Sequence, residues 1–185
     1  MKNRLPGAAL IVSTVIVILN GFRTATTGPD ALTHAVYFLW RIGGICGVLG
    51  PIRTNALGSN AVARTLGFLP VLGFASFVLA DGLFLLGFVT GTEPLFNTLI
   101  AIAWTGMLVG TLVVGILTIA AKTWTGWRRF VPLSTVVMIP VAAAMAATLG
   151  KQEVGAWLTF TVWILLGAVI ATAEPVSSLQ PSIMH

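Results

Sequence analysis

The sequence predicts an all-α fold, a polytopic bundle of about six transmembrane helices, and three observations support this prediction. Of the 185 residues, 57% are hydrophobic and only 8% are charged, whereas about a quarter are charged in an average soluble domain. The mean hydropathy is +0.99. The apolar residues form long runs, each near the roughly 20 residues that a helix needs to cross a bilayer. This composition cannot supply the polar helix faces that a soluble bundle requires.

Each run has recognisable ends in the sequence. The predicted spans are residues 5–22, 32–50, 65–90, 95–121, 131–149 and 155–173. Pro51 ends the second span, because proline does not easily continue a helix. Pro70 predicts a kink or tilt in the long third span, and a tight turn follows at residues 91–94. Residues 1–175 therefore form one transmembrane domain, followed by a short disordered cytoplasmic tail at 176–185.

The first span has a second interpretation, a cleaved secretory signal peptide. Lys2 and Arg4 precede its apolar stretch, as they would in a signal. The run is long for a signal, however, and Arg23 follows it directly. The small residues after Arg23 make only a weak cleavage site. A retained first span is therefore favoured, and cleavage would leave five spans in the same orientation.

The basic residues predict the orientation in the membrane. With loops on alternating sides, one side holds seven basic residues and the other holds only Arg23 and Lys151. The seven are Lys2, Arg4, Arg53, Arg64, Lys122, Arg128 and Arg129. Asp30, Glu93 and Glu153 lie on the base-poor side. Because basic loops stay in the cytoplasm, the sequence predicts a plasma-membrane protein with both termini inside. No dense basic patch exists, so nucleic acid is not an expected partner.

Two opposite charges, Arg41 and Asp81, lie inside the apolar runs. Arg41 is nine residues beyond Leu32, and Asp81 is nine residues before Thr90, so each lies about 13–14 Å below the outer boundary. An unpaired charge near the bilayer centre costs at least about 2.5–3.5 kcal/mol. We therefore expect an ion pair between the two, facing the interior. It is either a structural clamp or a site for an ion, a proton or an anionic head group.

Other candidate ligand residues are few. His34 lies one turn inside the outer end of span two. It is either a hydrogen-bonded interfacial histidine or a proton relay to Arg41 and Asp81. A bis-histidine haem site is not predicted, because His185 lies on the opposite side. Cys46 is the one cysteine and is expected to be a small buried residue, so neither a disulfide within the chain nor a thiolate zinc site is expected. The sequence thus predicts no cofactor and no metal site.

Small residues predict where helices approach closely. Span two carries Gly43 and Gly47, and span four carries Gly106 and Gly110, both with the spacing that allows close helix contact. Packing within the chain is the favoured interpretation, and a dimer face is the alternative. In span five, Pro140 predicts a kink. The alanines that follow, at residues 142–147, form a thin surface that a neighbouring helix can approach.

The basic loop between spans four and five predicts an interfacial anchor. Trp124, Trp127, Arg128 and Arg129 suit the headgroup level, where amphipathic rings and cations collect. The segment Gly126-Trp-Arg-Arg-Phe-Val-Pro-Leu133 resembles loops in small uncharacterised multi-pass bacterial integral membrane proteins. The resemblance implies a polytopic membrane protein and no particular activity.

Three classes of function stay open. The sequence contains no phosphate loop, dinucleotide fingerprint, zinc-protease helix or nucleophile elbow. The first class is a structural, accessory or sensor component that acts through a membrane-protein partner or a second copy in the bilayer. The second is a small transporter or channel that uses Arg41 and Asp81. A membrane-embedded enzyme ranks last, and we do not expect an enzyme.

Overall fold

A computed structural model describes residues 4–27 and 30–173, and the predicted tail at 176–185 lies outside them. Within these ranges the chain has seven α-helices, one 3₁₀ helix and no strand. The α-helices are α1 (Arg4–Thr27), α2 (Ala31–Arg53), α3 (Ala61–Leu66), α4 (Leu69–Leu85), α5 (Pro94–Ala121), α6 (Val131–Leu149) and α7 (Gln152–Thr172). The 3₁₀ helix, Gly126–Phe130, precedes α6. Six helical segments of this described part, with α3 and α4 counted together, are long and apolar enough to cross a membrane. The all-helical, six-segment prediction is confirmed.

The six segments form a closed ring in chain order. Each packs against the next one, from α1 and α2 through α4, α5 and α6 to α7, and α7 returns to α1. The outward surface is apolar: Val12, Leu19, Val109 and Ile116 are each at least half exposed. Such a surface is unfavourable in water. It matches the acyl chains of a bilayer, where the helices satisfy their own backbone hydrogen bonds.

Close helix contacts in the ring depend on glycine. A Cβ atom added at Gly106 would lie 2.9 Å from the Cα atom of Gly73 on α4, and Gly110 faces the same helix. Gly43 and Gly47 of α2 face α1 in the same way. Both glycine pairs named in the sequence analysis therefore pack within the chain, as the favoured interpretation predicted.

The third span ends five residues earlier than predicted, at Leu85. Gly87 has φ +74°, and its N–H donates to Phe84 O at 3.0 Å. The Phe88 N–H donates to Leu83 O at 2.9 Å. These two bonds around a left-handed glycine form a Schellman motif, which satisfies the last carbonyl groups of a helix. The helix therefore stops at a glycine that the apolar run alone did not reveal.

The prolines act differently at two helix ends. The prediction that Pro51 ends span two is wrong, because α2 continues through Pro51 to Arg53. Because Pro51 is close to the end of α2, it removes only one hydrogen bond, in the last turn of the helix. The backbone and the hydroxyl of Thr54 both donate to Gly50 O at 2.9 Å and complete the turn. Pro70 lies in the first turn of α4, directly after the break from α3, where proline is well accepted.

Candidate functional site

A cavity of about 640 Å³ lies inside one half of the ring. On α2, α5 and α7 its lining residues lie mainly in the first half of each helix, and on α4 and α6 mainly from the middle of the helix to its end. Ring neighbours run antiparallel, so these halves lie on the same side of the bundle. That side carries the connections after α1, α4 and α6, which the sequence marks as base-poor. The volume is in the usual range for a small-molecule pocket.

Arg41 and Asp81 form an ion pair in the wall of this cavity. Arg41 Nη1 donates to Asp81 Oδ2, which joins α2 to α4. The Asp81 side chain is only 3% exposed, whereas that of Arg41 is 14% exposed. The guanidinium lies 4.3 Å over the ring of Phe77 and 5.9 Å from that of Tyr37. Two aromatic faces and one carboxylate therefore hold the cation.

The sequence predicted that the two charges lie at equal distances from the outer ends of their helices, and this prediction is wrong. Arg41 is ten residues beyond Ala31, or about 15 Å along α2. Asp81 is four residues before Leu85, or about 6 Å from the end of α4. The difference follows from the early end of α4 at Leu85. The structure brings the pair together although the register of the third span differs from the prediction.

Four aromatic rings close the cavity at the middle of the bundle. Trp40, Phe160 and Trp163 line it, and Phe74 lies behind them, fully buried. Their ring centroids are 5.2 to 5.9 Å apart in edge-to-face contacts, the arrangement that aromatic pairs favour. The Trp40 Nε1 atom donates to the hydroxyl of Thr14 at 3.2 Å. This aromatic floor separates the cavity from the other half of the ring.

The cavity has a lateral mouth beside α5. Its exposed lining residues are Trp104 on α5, Ala143 on α6 and Ala156 on α7. In the other half of the ring α5 and α6 touch, since a Cβ atom at Gly115 would lie 2.7 Å from Leu133 Cα. In the cavity half the two helices diverge. The mouth therefore opens between α5 and the α6–α7 pair, across the ring from α2.

His34 lies in the same cavity wall as the ion pair. Its ring packs against that of Phe84, with centroids 4.3 Å apart. Among the described residues, no hydrogen bond joins His34 to Arg41 or to Asp81. The structure thus places the three predicted residues around one space, and the proton relay stays a prediction. No three His, Cys, Asp or Glu side chains meet as a metal site within the part of the chain that was searched.

A second ion pair lies at the end of α1 on the cavity side. The Arg23 guanidinium donates to both carboxylate oxygens of Asp30, at 2.6 and 2.8 Å. Asp30 also caps α2, because its side chain accepts from the backbone N–H of Thr33. The hydrogen bonds from Arg23 and then Thr33 lower the pKa of Asp30 well below its ordinary value of 3.8. This ion pair thus links α1 to the start of α2.

The predicted anchor loop is only partly at the surface. Trp127 is 59% exposed, Arg128 is exposed and Arg129 is half-buried over the ring of Phe130. Trp124 differs, since it is only 7% exposed and packs in the core. Trp124 is therefore covered by the protein, and its role as a headgroup anchor stays a prediction. The neighbouring hydroxyl, Thr123 Oγ1, donates to Ala56 O at 2.7 Å and holds this part of the loop against the end of α2.

Sequence reasoning found the charges of the site and missed its aromatic walls. Tryptophan and phenylalanine in an apolar span read as lipid-facing or core residues, and only the helix arrangement shows that they surround a space. Comparison of the chain with models of protein families, with curated proteins and with solved structures gives no match. The comparisons give no indication of an enzymatic activity, and the resemblance of the loop at residues 126–133 stays a prediction.

Proposed function

We propose that this protein is a sensor or binding component of the membrane that takes up a small, mainly apolar molecule in its cavity. The observation that carries the proposal is a space of about 640 Å³ with aromatic walls and one ion pair. Ligand sites in proteins typically combine an apolar lining with a few polar groups that fix orientation. The closed floor and the lateral mouth suit binding from one side.

We also propose an orientation and a location for the chain. The charge asymmetry of the loops supports a plasma-membrane protein with both termini in the cytoplasm. The cavity then lies in the outer half of the bilayer. The lateral mouth between α5 and the α6–α7 pair opens toward the acyl chains, so a lipophilic ligand can enter without crossing water. A signal reaches a partner through the lipid-facing surface of the ring.

The experiment compares two tryptophan substitutions on α6. Ala143 lines the mouth, and Ala144 is also exposed but does not line it. Purified protein in lipid nanodiscs is dialysed against 2-ethylnaphthalene, an apolar ring compound, with protein-free nanodiscs as the blank. Ala143→Trp should weaken protein-dependent binding at least about tenfold, since the indole occupies the entrance. Ala144→Trp should bind as the wild type does. Equal binding by all three proteins would place the compound outside the cavity and refute the proposal.

A small carrier is the second candidate function, and the one-sided cavity favours it. A carrier shows such a cavity when it is open to one side, with the site near the bilayer midplane. The Arg41–Asp81 pair lies beside the aromatic floor, where a coupling ion or proton would bind. Proton or ion flux into liposomes should then exceed that of protein-free liposomes and fall in Asp81→Asn. Absence of flux in wild-type liposomes that still bind 2-ethylnaphthalene would leave binding as the function.

A further inference from the structure

We infer that the ligand is a neutral, ring-bearing compound whose carbonyl oxygen accepts a hydrogen bond from Arg41. This inference rests on the proposed function and adds the chemical class of the molecule. It follows from three properties of the cavity wall: which member of the ion pair faces the space, the net charge of the lining, and the geometry of the rings.

Arg41 is the accessible member of the pair. A guanidinium has five N–H donors, and in the described residues its only acceptor is Asp81, bonded to Nη1. The Nε atom is buried and has no partner there. The donors of Nη2 are neither bonded to a described residue nor buried, so they face the cavity. Asp81 is almost fully covered. The site therefore offers donors to a ligand, and a cation would find no accessible carboxylate.

The charges of the lining favour a neutral ligand. Arg41 and Asp81 are the only Lys, Arg, Asp or Glu side chains among the lining residues that the structure describes, and their formal charges cancel. A ligand carboxylate would lose its hydration without gaining a counter-charge, because Asp81 already neutralises the guanidinium. It would also lie near the carboxylate of Asp81. A carbonyl group accepts the same hydrogen bond and has a much smaller desolvation cost.

The walls favour a planar ring system. Trp104 lies at the mouth, and Phe77 lies beneath the guanidinium of Arg41. These two rings contact each other edge-to-face, with centroids 5.3 Å apart. They lead from the mouth to Arg41, and the rings of Trp40 and Phe160 form the floor below. A flat aromatic ligand can pack against these faces while its polar end reaches the cation. A flexible acyl chain would lose more conformational freedom in the same space.

The test uses three naphthalenes of nearly the same shape: 2-acetonaphthone, 2-ethylnaphthalene and 2-naphthoate. The ketone carries the acceptor, the hydrocarbon lacks it and the third compound is an anion. Wild-type protein in nanodiscs should bind the ketone at least about tenfold more tightly than the hydrocarbon, as expected for one hydrogen bond to a charged group. It should bind the carboxylate most weakly. Protein-free nanodiscs correct for partition into lipid.

The double variant Arg41→Met/Asp81→Leu checks that the pair is responsible. It replaces both charges together and leaves no unpaired group, so the ketone and the hydrocarbon should bind within about twofold of each other. Equal binding of ketone and hydrocarbon by the wild type overturns the inference and leaves the proposed function standing. Tightest binding of the carboxylate overturns it in favour of an anionic ligand. If no compound shows binding that Ala143→Trp weakens, the proposed function fails as well. The wild-type comparison holds even if the double variant does not fold.

Discussion

The closest approach between α4 and α5 gives the sharpest prediction of stability. A Cβ atom added at Gly73 would lie 2.6 Å from the carbonyl carbon of Gly106 and 2.9 Å from Ala103 O. These are backbone atoms, so no side-chain rotation can relieve the contact. The added Cβ atom would lie nearer still to the backbone nitrogen of Met107, so to reach an ordinary separation of 3.4 Å α4 must withdraw from α5 by more than about 0.8 Å. Such a gap forfeits a quarter to a half of the dispersion energy along that contact. We expect Gly73→Ala to destabilise the protein by about 1–3 kcal/mol.

Gly82 supplies the matched control on the same helix. A Cβ atom there would meet only Phe38 Cε2, at 3.7 Å, which is an ordinary contact. Alanine also favours a helix over glycine by up to about 1 kcal/mol, so Gly82→Ala should be neutral or stabilising. The free energy of unfolding of both variants is measured by denaturant titration in the same detergent. If Gly73→Ala is as stable as Gly82→Ala, the reasoning from close backbone contact is refuted.

Two further predictions concern the helix ends on the cavity side. Folding lowers the pKa of Asp30, so its stabilisation is complete above its ordinary value of 3.8 and is lost as the pH falls further. The excess thermal stability of wild type over Asp30→Asn should therefore be smaller at pH 3 than at pH 7, and a constant difference would contradict the ion pair with Arg23. Gly87→Ala should destabilise the protein by about 1 kcal/mol through its φ of +74° alone, since no atom lies within 4 Å of the added methyl group. Denaturant titration that finds it neutral would rule out strain at the end of α4.

The sequence was most informative where a single physical cost dominates. The length of the apolar runs gave the six helical segments, and the cost of a lone charge in lipid predicted that Arg41 would be found beside Asp81. Helix ends were harder. The apolar run continues past Leu85, and the Schellman glycine at Gly87 is one of many glycines in the chain. Gly87 lies four residues before the predicted turn at residues 91–94, and this closeness was the signal that could have located the end of α4.

The cavity itself was not predictable, because it depends on how far apart two helices lie. Both halves of α6 are apolar, yet Leu133 touches α5 at Gly115, whereas Ala143 lines the cavity. The alanines of α6 were expected to allow close approach, and α7 does approach them: a Cβ atom at Gly155 would lie 2.7 Å from Ala142 O. The same small side chains leave the space open on the side of α5. Trp124 was equally hard to predict. It lies in a loop of the sequence, but the helices around it cover its ring.

The position of the ion pair distinguishes a structural clamp from a binding group. A buried pair rarely stabilises a protein relative to apolar residues of similar size, so a clamp alone would be a costly way to join α2 to α4. Removing only one partner, as in Arg41→Met, leaves the Asp81 carboxylate buried and alone and should cost about 3–5 kcal/mol. Replacing both, as in Arg41→Met/Asp81→Leu, should restore most of that stability in a denaturant titration while abolishing the preference for a carbonyl ligand. A clamp predicts instead that the double variant stays clearly less stable than the wild type, because the link between α2 and α4 is lost. Because Arg41 borders the cavity and, among the described residues, is bonded only through Nη1, we expect stability to return and selective binding to be lost.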